Sequence, residues 1–228
     1  MRARQRHFKP KSIAATAAFD ARYITGLSDG NAVTTWSDIS GNSHSATQGT
    51  VARQPVYKAA VLGGAPAVRF DGAGDNLSHT IANTSTCSMV LVINRLSTQT
   101  NYRGLCSFTD VQMLLRMGGP TQWGTYTTTD RVSSSTIATS TPSVLTLIDN
   151  AASGGSFFRN SAADGTWTGT TTGQGLNFIG GYYTASPLVD QTSNVDIGAA
   201  YLMSSAMAAP IRKRIEQGFG YSFKIACS

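Results

Sequence analysis

The apolar residues of this chain come in short runs, and almost every run is closed by Gly, Asn, Asp, Ser or Pro. A chain punctuated this way cannot sustain long helices, whereas strands of four to eight residues fit between such stops. The spacing predicts strands over 67–70, 88–93, 111–117, 123–127, 144–148, 156–159, 176–179 and 195–203. No helical segments alternate with them, so an antiparallel sandwich or barrel is expected instead of a parallel α/β sheet. One helix stands apart near the end, where Ile211, Ile215, Phe219 and Phe223 recur every four residues and Arg212, Lys213 and Glu216 fall on other faces. Pro210 suits its first turn. Gly218 and Gly220 each cost about 1 kcal/mol relative to Ala, so packing against a sheet must hold this helix.

With 41% hydrophobic and 13% charged residues, the chain can build a core and does not read as disordered. Its 228 residues lie within the range of one large sandwich, expected over 18–228 behind an arm at 1–17. The arm is set off by charge: Arg2, Arg4, Arg6, Lys9 and Lys11 precede the first acid, Asp20. They supply five of 18 basic residues, leaving 13 against 12 acids, so the net charge of +6 chiefly describes the arm. The nearly neutral remainder argues against a broad nucleic-acid-binding face, although the arm itself suits phosphate. Residues 12–19 are too short and too rich in Ser and Thr for the apolar core of a signal peptide. No run approaches the roughly 20 apolar residues of a membrane helix, so membrane insertion is not expected. Cys87, Cys106 and Cys227 show no CxxC spacing and are expected as free thiols.

Two stretches carry a resemblance. Residues 19–78 contain Asp20-Ala21, Asp29-Gly30, Trp36-x-Asp38-x-Ser40-Gly41-Asn42, Gln54-Pro55-x-Tyr57 and Val68-Arg69-Phe70-Asp71-Gly72, in that order. Residues 195–223 read as a closing strand followed by a short helix carrying Ile215-Glu216. Together they resemble concanavalin A-like lectin/glucanase modules of the laminin-G-like kind. The resemblance implies an all-β, antiparallel jelly-roll β-sandwich with a short C-terminal helix, here preceded by the basic arm. It also brings in calcium as the one cofactor to consider, with Asp38, Asn42, Asp71 and Asp75 as candidate ligands among turn residues. Trp36, Arg69, Phe70 and Asp71 read as core and turn residues first.

Catalytic constellations are scarce. Glycosidases of this fold carry an acidic cluster of the form E-x-D-x-x-E, because hydrolysis needs a nucleophile or base and a separate acid. The only Glu, Glu216, lies beside Arg212 and Lys213 on the expected helix, where an exposed ion pair is the simpler reading. His7, His44 and His79 accompany no G-x-S-x-G elbow and no zinc spacing, so they are expected as ordinary histidines. A protein that is not an enzyme is therefore expected. For sugar recognition, Trp123, Tyr126, Trp167, Tyr182 and Tyr183 are the candidate aromatic platforms.

The expectation that follows is a virion accessory protein, a phage capsid decoration or tail-surface component displayed on the virion. In it the arm residues Arg2, Arg4, Arg6, Lys9 and Lys11 anchor the module to capsid or tail proteins. The alternative is a cellular carbohydrate-binding or adhesion module at a bacterial surface, meeting a cell-surface glycan. A nucleic-acid-packaging coat protein comes third, since five charges make a small packaging arm.

Overall fold

A computed structural model of the chain describes residues 13–82, 86–98, 102–108, 111–115, 122–126, 130–170, 177–181 and 192–228. The strands run in chain order as β1 (Ala17–Asp20), β2 (Thr35–Trp36), β3 (Ala46–Thr47), β4 (Val56–Leu62), β5 (Ala65–Asp71), β6 (Leu77–Ser78), β7 (Cys87–Arg95) and β8 (Arg103–Phe108). They continue as β9 (Val111–Leu115), β10 (Gln122–Tyr126), β11 (Asp130–Thr136), β12 (Ser143–Asp149), β13 (Gly155–Arg159), β14 (Ala162–Trp167), β15 (Phe178–Ile179) and β16 (Asn194–Met203). The helix α1 spans Ala209–Phe223. One antiparallel sheet has the order β14-β13-β12-β7-β16-β5-β4, with β1 also pairing β16. The other runs β11-β10-β9-β8-β15-β6-β3-β2. The expected all-β sandwich with one C-terminal helix is what forms.

The first sheet is covered on both faces, which explains its near-continuous apolar strands. All nine residues of β7 are buried. Cys87, Met89, Leu91 and Ile93 point into the core between the sheets, while Val90 and Val92 belong to a second cluster with Phe219 and Phe223 of α1. Strand β16 shows the same division but changes parity along its length. Val195 and Ile197 face the inner core, and so do Ala200 and Leu202, because the ladder to β7 shifts register between Ile197 and Ala199. A bulge inserts one residue and moves every later side chain to the opposite face. Its extra residue is Gly198, where a Cβ would stand 2.6 Å from the Phe223 ring and 2.9 Å from Leu62. Only glycine lets the helix lie this close. At the same point β16 changes neighbours, pairing β5 through Ile197 and β1 from Ala199 onward.

The helix differs from its expected register. Steps of four over-rotate a 3.6-residue turn by about 40° each, so Ile211 drifts off the face defined by Phe219 and Phe223 and is 37% exposed. Arg212 and Glu216 take the buried face instead. Their charges are matched there: Arg212 Nη1 donates to Glu216 Oε2 at 2.6 Å, Thr146 Oγ1 donates to Glu216 Oε1 at 2.6 Å, and the guanidinium lies 3.7 Å from the Phe158 ring centroid. The exposed ion pair expected for Glu216 is therefore a buried network joining α1 to β12 and β13. His79 is likewise buried, its Nε2 donating to the Ser107 carbonyl at 3.2 Å, with burial holding its pKa down at about 4. Ahead of β1, Ile13 and Ala15 are buried in the cluster under α1.

Candidate functional site

Where β1 leaves the first sheet, the chain turns through a short 3-10 segment, Ala21–Tyr23, whose N-cap is Asp20. The Asp20 carboxylate accepts from the Arg22 amide at 3.0 Å and from Arg22 Nε at 2.9 Å, and it forms an ion pair with Nη2 of the same side chain. The guanidinium also stacks on Phe223 of α1 at 5.0 Å. This fastening leaves the next residue, Tyr23, 50% exposed. Residues 28–33 then dock on β4: the Gly30 amide donates to the Tyr57 carbonyl at 2.8 Å, the Tyr57 amide to the Asn31 carbonyl at 2.8 Å, and the Val33 amide to the Pro55 carbonyl at 2.7 Å. The Gln54-Pro55-x-Tyr57 motif thus serves as a backbone dock for the preceding loop.

Between the two segments lies a small open cleft with a cavity volume of about 170 Å³. One wall carries Tyr23, Ile24, Thr25 and Leu27, and the other carries Thr34, Thr35, Trp36 and Ser37. Asp20 lines it as well, with its side chain fully buried against Arg22. Trp36 is 1% exposed and packs 5.9 Å from the Phe19 ring, yet its buried Nε1 has no hydrogen-bond partner among the described residues. The cleft is thus lined by the four aliphatic hydroxyl residues Thr25, Thr34, Thr35 and Ser37 and by the half-exposed ring of Tyr23.

The residues expected from sequence fall elsewhere. Trp123 is fully buried and Trp167 is 7% exposed, both in the inner core around Phe157, with ring centroids 5.0 and 4.6 Å from it. Their faces are covered by packing, so neither is a sugar platform; in a sandwich interior, indoles are spent on core volume. Tyr126 is half-buried beside Tyr102, 5.5 Å between centroids, over a shallow depression shared with Asp130 and Arg131. Tyr182 and Tyr183 lie outside the described residues, as do Arg2, Arg4, Arg6, Lys9 and Lys11. Tyr23 was missed: it stands alone in a loop, and only its place three residues after Asp20 could have marked it.

The calcium candidates are engaged in turns. Asp38 accepts from the amides of Ala18 at 2.9 Å, Ser40 at 2.8 Å and His44 at 3.0 Å, and from the Ser40 hydroxyl at 2.8 Å. Burial acts to raise its pKa, but these donors outweigh it and hold the carboxylate below its ordinary value. Asn42 donates to the carbonyls of Ala15 and Thr16, both at 3.0 Å. The second pair shares a tight turn in which the Asp71 amide donates to Asp75 Oδ2 at 3.1 Å. Burial first, and the Asp71 charge second, push Asp75 up to about 6. Among the described residues no group of three His, Cys, Asp or Glu side chains converges.

The fold is a two-sheet antiparallel β-sandwich with one C-terminal helix. Likenesses to solved structures agree with that class. Trypanosoma rangeli sialidase in complex with sialic acid matches with a TM-score of 0.62 and 12% identity, over 90% of this chain and 33% of that one. The binding domain of Paraclostridial Mosquitocidal Protein 1 matches at 0.63 and 10%, over 92% of this chain and 53% of that one. The ligand binding domain of botulinum neurotoxin serotype D, in complex with N-acetylneuraminic acid, matches at 0.62 and 11%, over 92% and 53%. The chain therefore spans about a third of the sialidases and about half of the toxin domains. No protein-family model matches it, and no curated protein matches it in sequence. At these identities the fold is what is shared. The sialidase likeness overturns the expectation of a protein that is not an enzyme, because this sandwich recurs as part of solved sialidases.

Proposed function

We propose that the chain is a carbohydrate-binding β-sandwich module that holds a glycan in the cleft beside Tyr23. The observation that carries this reading is the lining itself, the hydroxyls of Thr25, Thr34, Thr35 and Ser37 beside the half-exposed Tyr23 ring. Sugars present alternating hydroxyl edges and CH faces, which such a lining matches with hydrogen bonds and an aromatic surface. Two solved likenesses, a sialidase and a toxin domain, hold sugars in their own structures, which supports the reading by analogy of fold. The test is glycan-array binding followed by calorimetry on the wild type and Tyr23→Ala. Loss of affinity by about tenfold or more is expected, and unchanged affinity overturns the cleft as the site.

The concanavalin A-like, laminin-G-like assignment is the finer family proposed, supported by the motifs within residues 19–78. For location we propose a virion surface, with capsid or tail proteins as partners. Its support is the run of Arg2, Arg4, Arg6, Lys9 and Lys11 ahead of the first acid, beside a nearly neutral remainder. Sedimentation with phage particles, comparing the full chain with one lacking residues 1–11, tests it. Arm-dependent co-sedimentation is expected, and its absence favours a cellular adhesion module.

A further inference from the structure

We infer that the cleft beside Tyr23 selects uncharged sugar units and disfavours carboxylate-bearing ones; this rests on the glycan-binding reading above. The described residues lining the cleft include one charged group, Asp20, and no Lys, Arg or His. The nearest cation in the turn, Arg22, is committed twice. It forms a forked ion pair with Asp20 through Nε and Nη2, and it lies over the Phe223 ring on the α1 side. Freeing it to meet a ligand would leave the fully buried Asp20 side chain without its counter-charge, and breaking a buried pair in this way is strongly unfavourable.

A ligand carboxylate entering the cleft would therefore surrender water without gaining a cation. Neutral hydroxyls meet no such cost. Thr25, Thr34, Thr35 and Ser37 can each donate and accept, so they pair with sugar hydroxyls in either sense. The shared sandwich thus does not bring a shared ligand: the sialidase and the toxin domain are solved with acidic sugars, whereas this cleft has the lining of a neutral-sugar site.

The experiment titrates the full chain and Tyr23→Ala with neutral galactose- and glucose-terminated oligosaccharides, and with the same oligosaccharides capped by N-acetylneuraminic acid. Tyr23-dependent binding of neutral glycans is expected, weakened roughly tenfold or more by the acidic cap. Equal or tighter Tyr23-dependent binding of capped glycans overturns the selectivity and leaves glycan binding standing. Binding that ignores Tyr23, or no binding to either set, overturns the cleft as the glycan site and this inference with it.

Discussion

The indole Nε1 of Trp123 donates to Asp164 Oδ2 at 2.8 Å, tying β10 of one sheet to β14 of the other inside the sandwich. The same carboxylate accepts from the Ser135 amide and from the Ser135 hydroxyl, both at 2.7 Å. One buried acid therefore satisfies three donors at the closed side of the sandwich, where β11 and β14 meet.

Replacing Asp164 with Ala removes the acceptor from the buried Trp123 indole and from two part-buried donors of Ser135. A loss of about 3 kcal/mol is expected, seen as a fall in Tm of roughly 6–12 °C for a chain of this length. Calorimetric melting checks it. A Tm within 2 °C or so of wild type would mean that water replaces the carboxylate and that this side of the sandwich is open.

Asp38 ties β1 to the turn carrying Ser40 and His44. Because its folded pKa is depressed, its contribution is present above the unfolded value of 3.8 and is lost as pH falls through the lower folded value. Asp38→Ala is expected to cost about 2 kcal/mol at pH 7, with the gap to wild type closing below pH 3.8. Urea unfolding of both proteins across that range measures the gap, and a constant difference would rule out the charge as its source.

Two groups oppose each other between pH 4 and 6.5. Asp75, raised from 3.8 to about 6, favours the fold below 3.8 and loses that contribution as pH rises through 6. His79, lowered from 6.5 to about 4, favours the fold above 6.5 and costs about 3 kcal/mol as pH falls to 4. Asp75→Asn removes the first effect and keeps an acceptor for the Asp71 amide. This variant is expected to be more stable than wild type at pH 7 and no more stable at pH 4. Denaturant midpoints at the two pH values decide it.

Much of the sandwich was legible because strand cores are written as apolar runs. Cys87–Arg95, Ser143–Asp149 and Asn194–Met203 were all found within two residues of their bounds. The strands that escaped, such as Asp130–Thr136 and Ala162–Trp167, are rich in Ser, Thr, Ala and Gly and lie at sheet edges, where pairing holds a strand without much apolar side chain. The site was less legible still. Trp123 and Tyr126 sit three apart on one strand and so face opposite ways, one into the core and one outward, but the parity that decides this comes from the neighbouring strand. Tyr23 carries no local pattern at all.

The order of apolar runs and turn residues determined by itself that this chain is all-β with one terminal helix, and that its positive charge is concentrated ahead of Asp20. Which side chains point outward was decided only by tertiary structure. The Gly198 bulge reverses the parity of β16, α1 covers a sheet face that would otherwise meet water, and the loop docked on β4 opens the cleft under Tyr23. Each of these depends on pairing between residues far apart in the chain, and periodicity within a single segment contains no record of which partner it will meet.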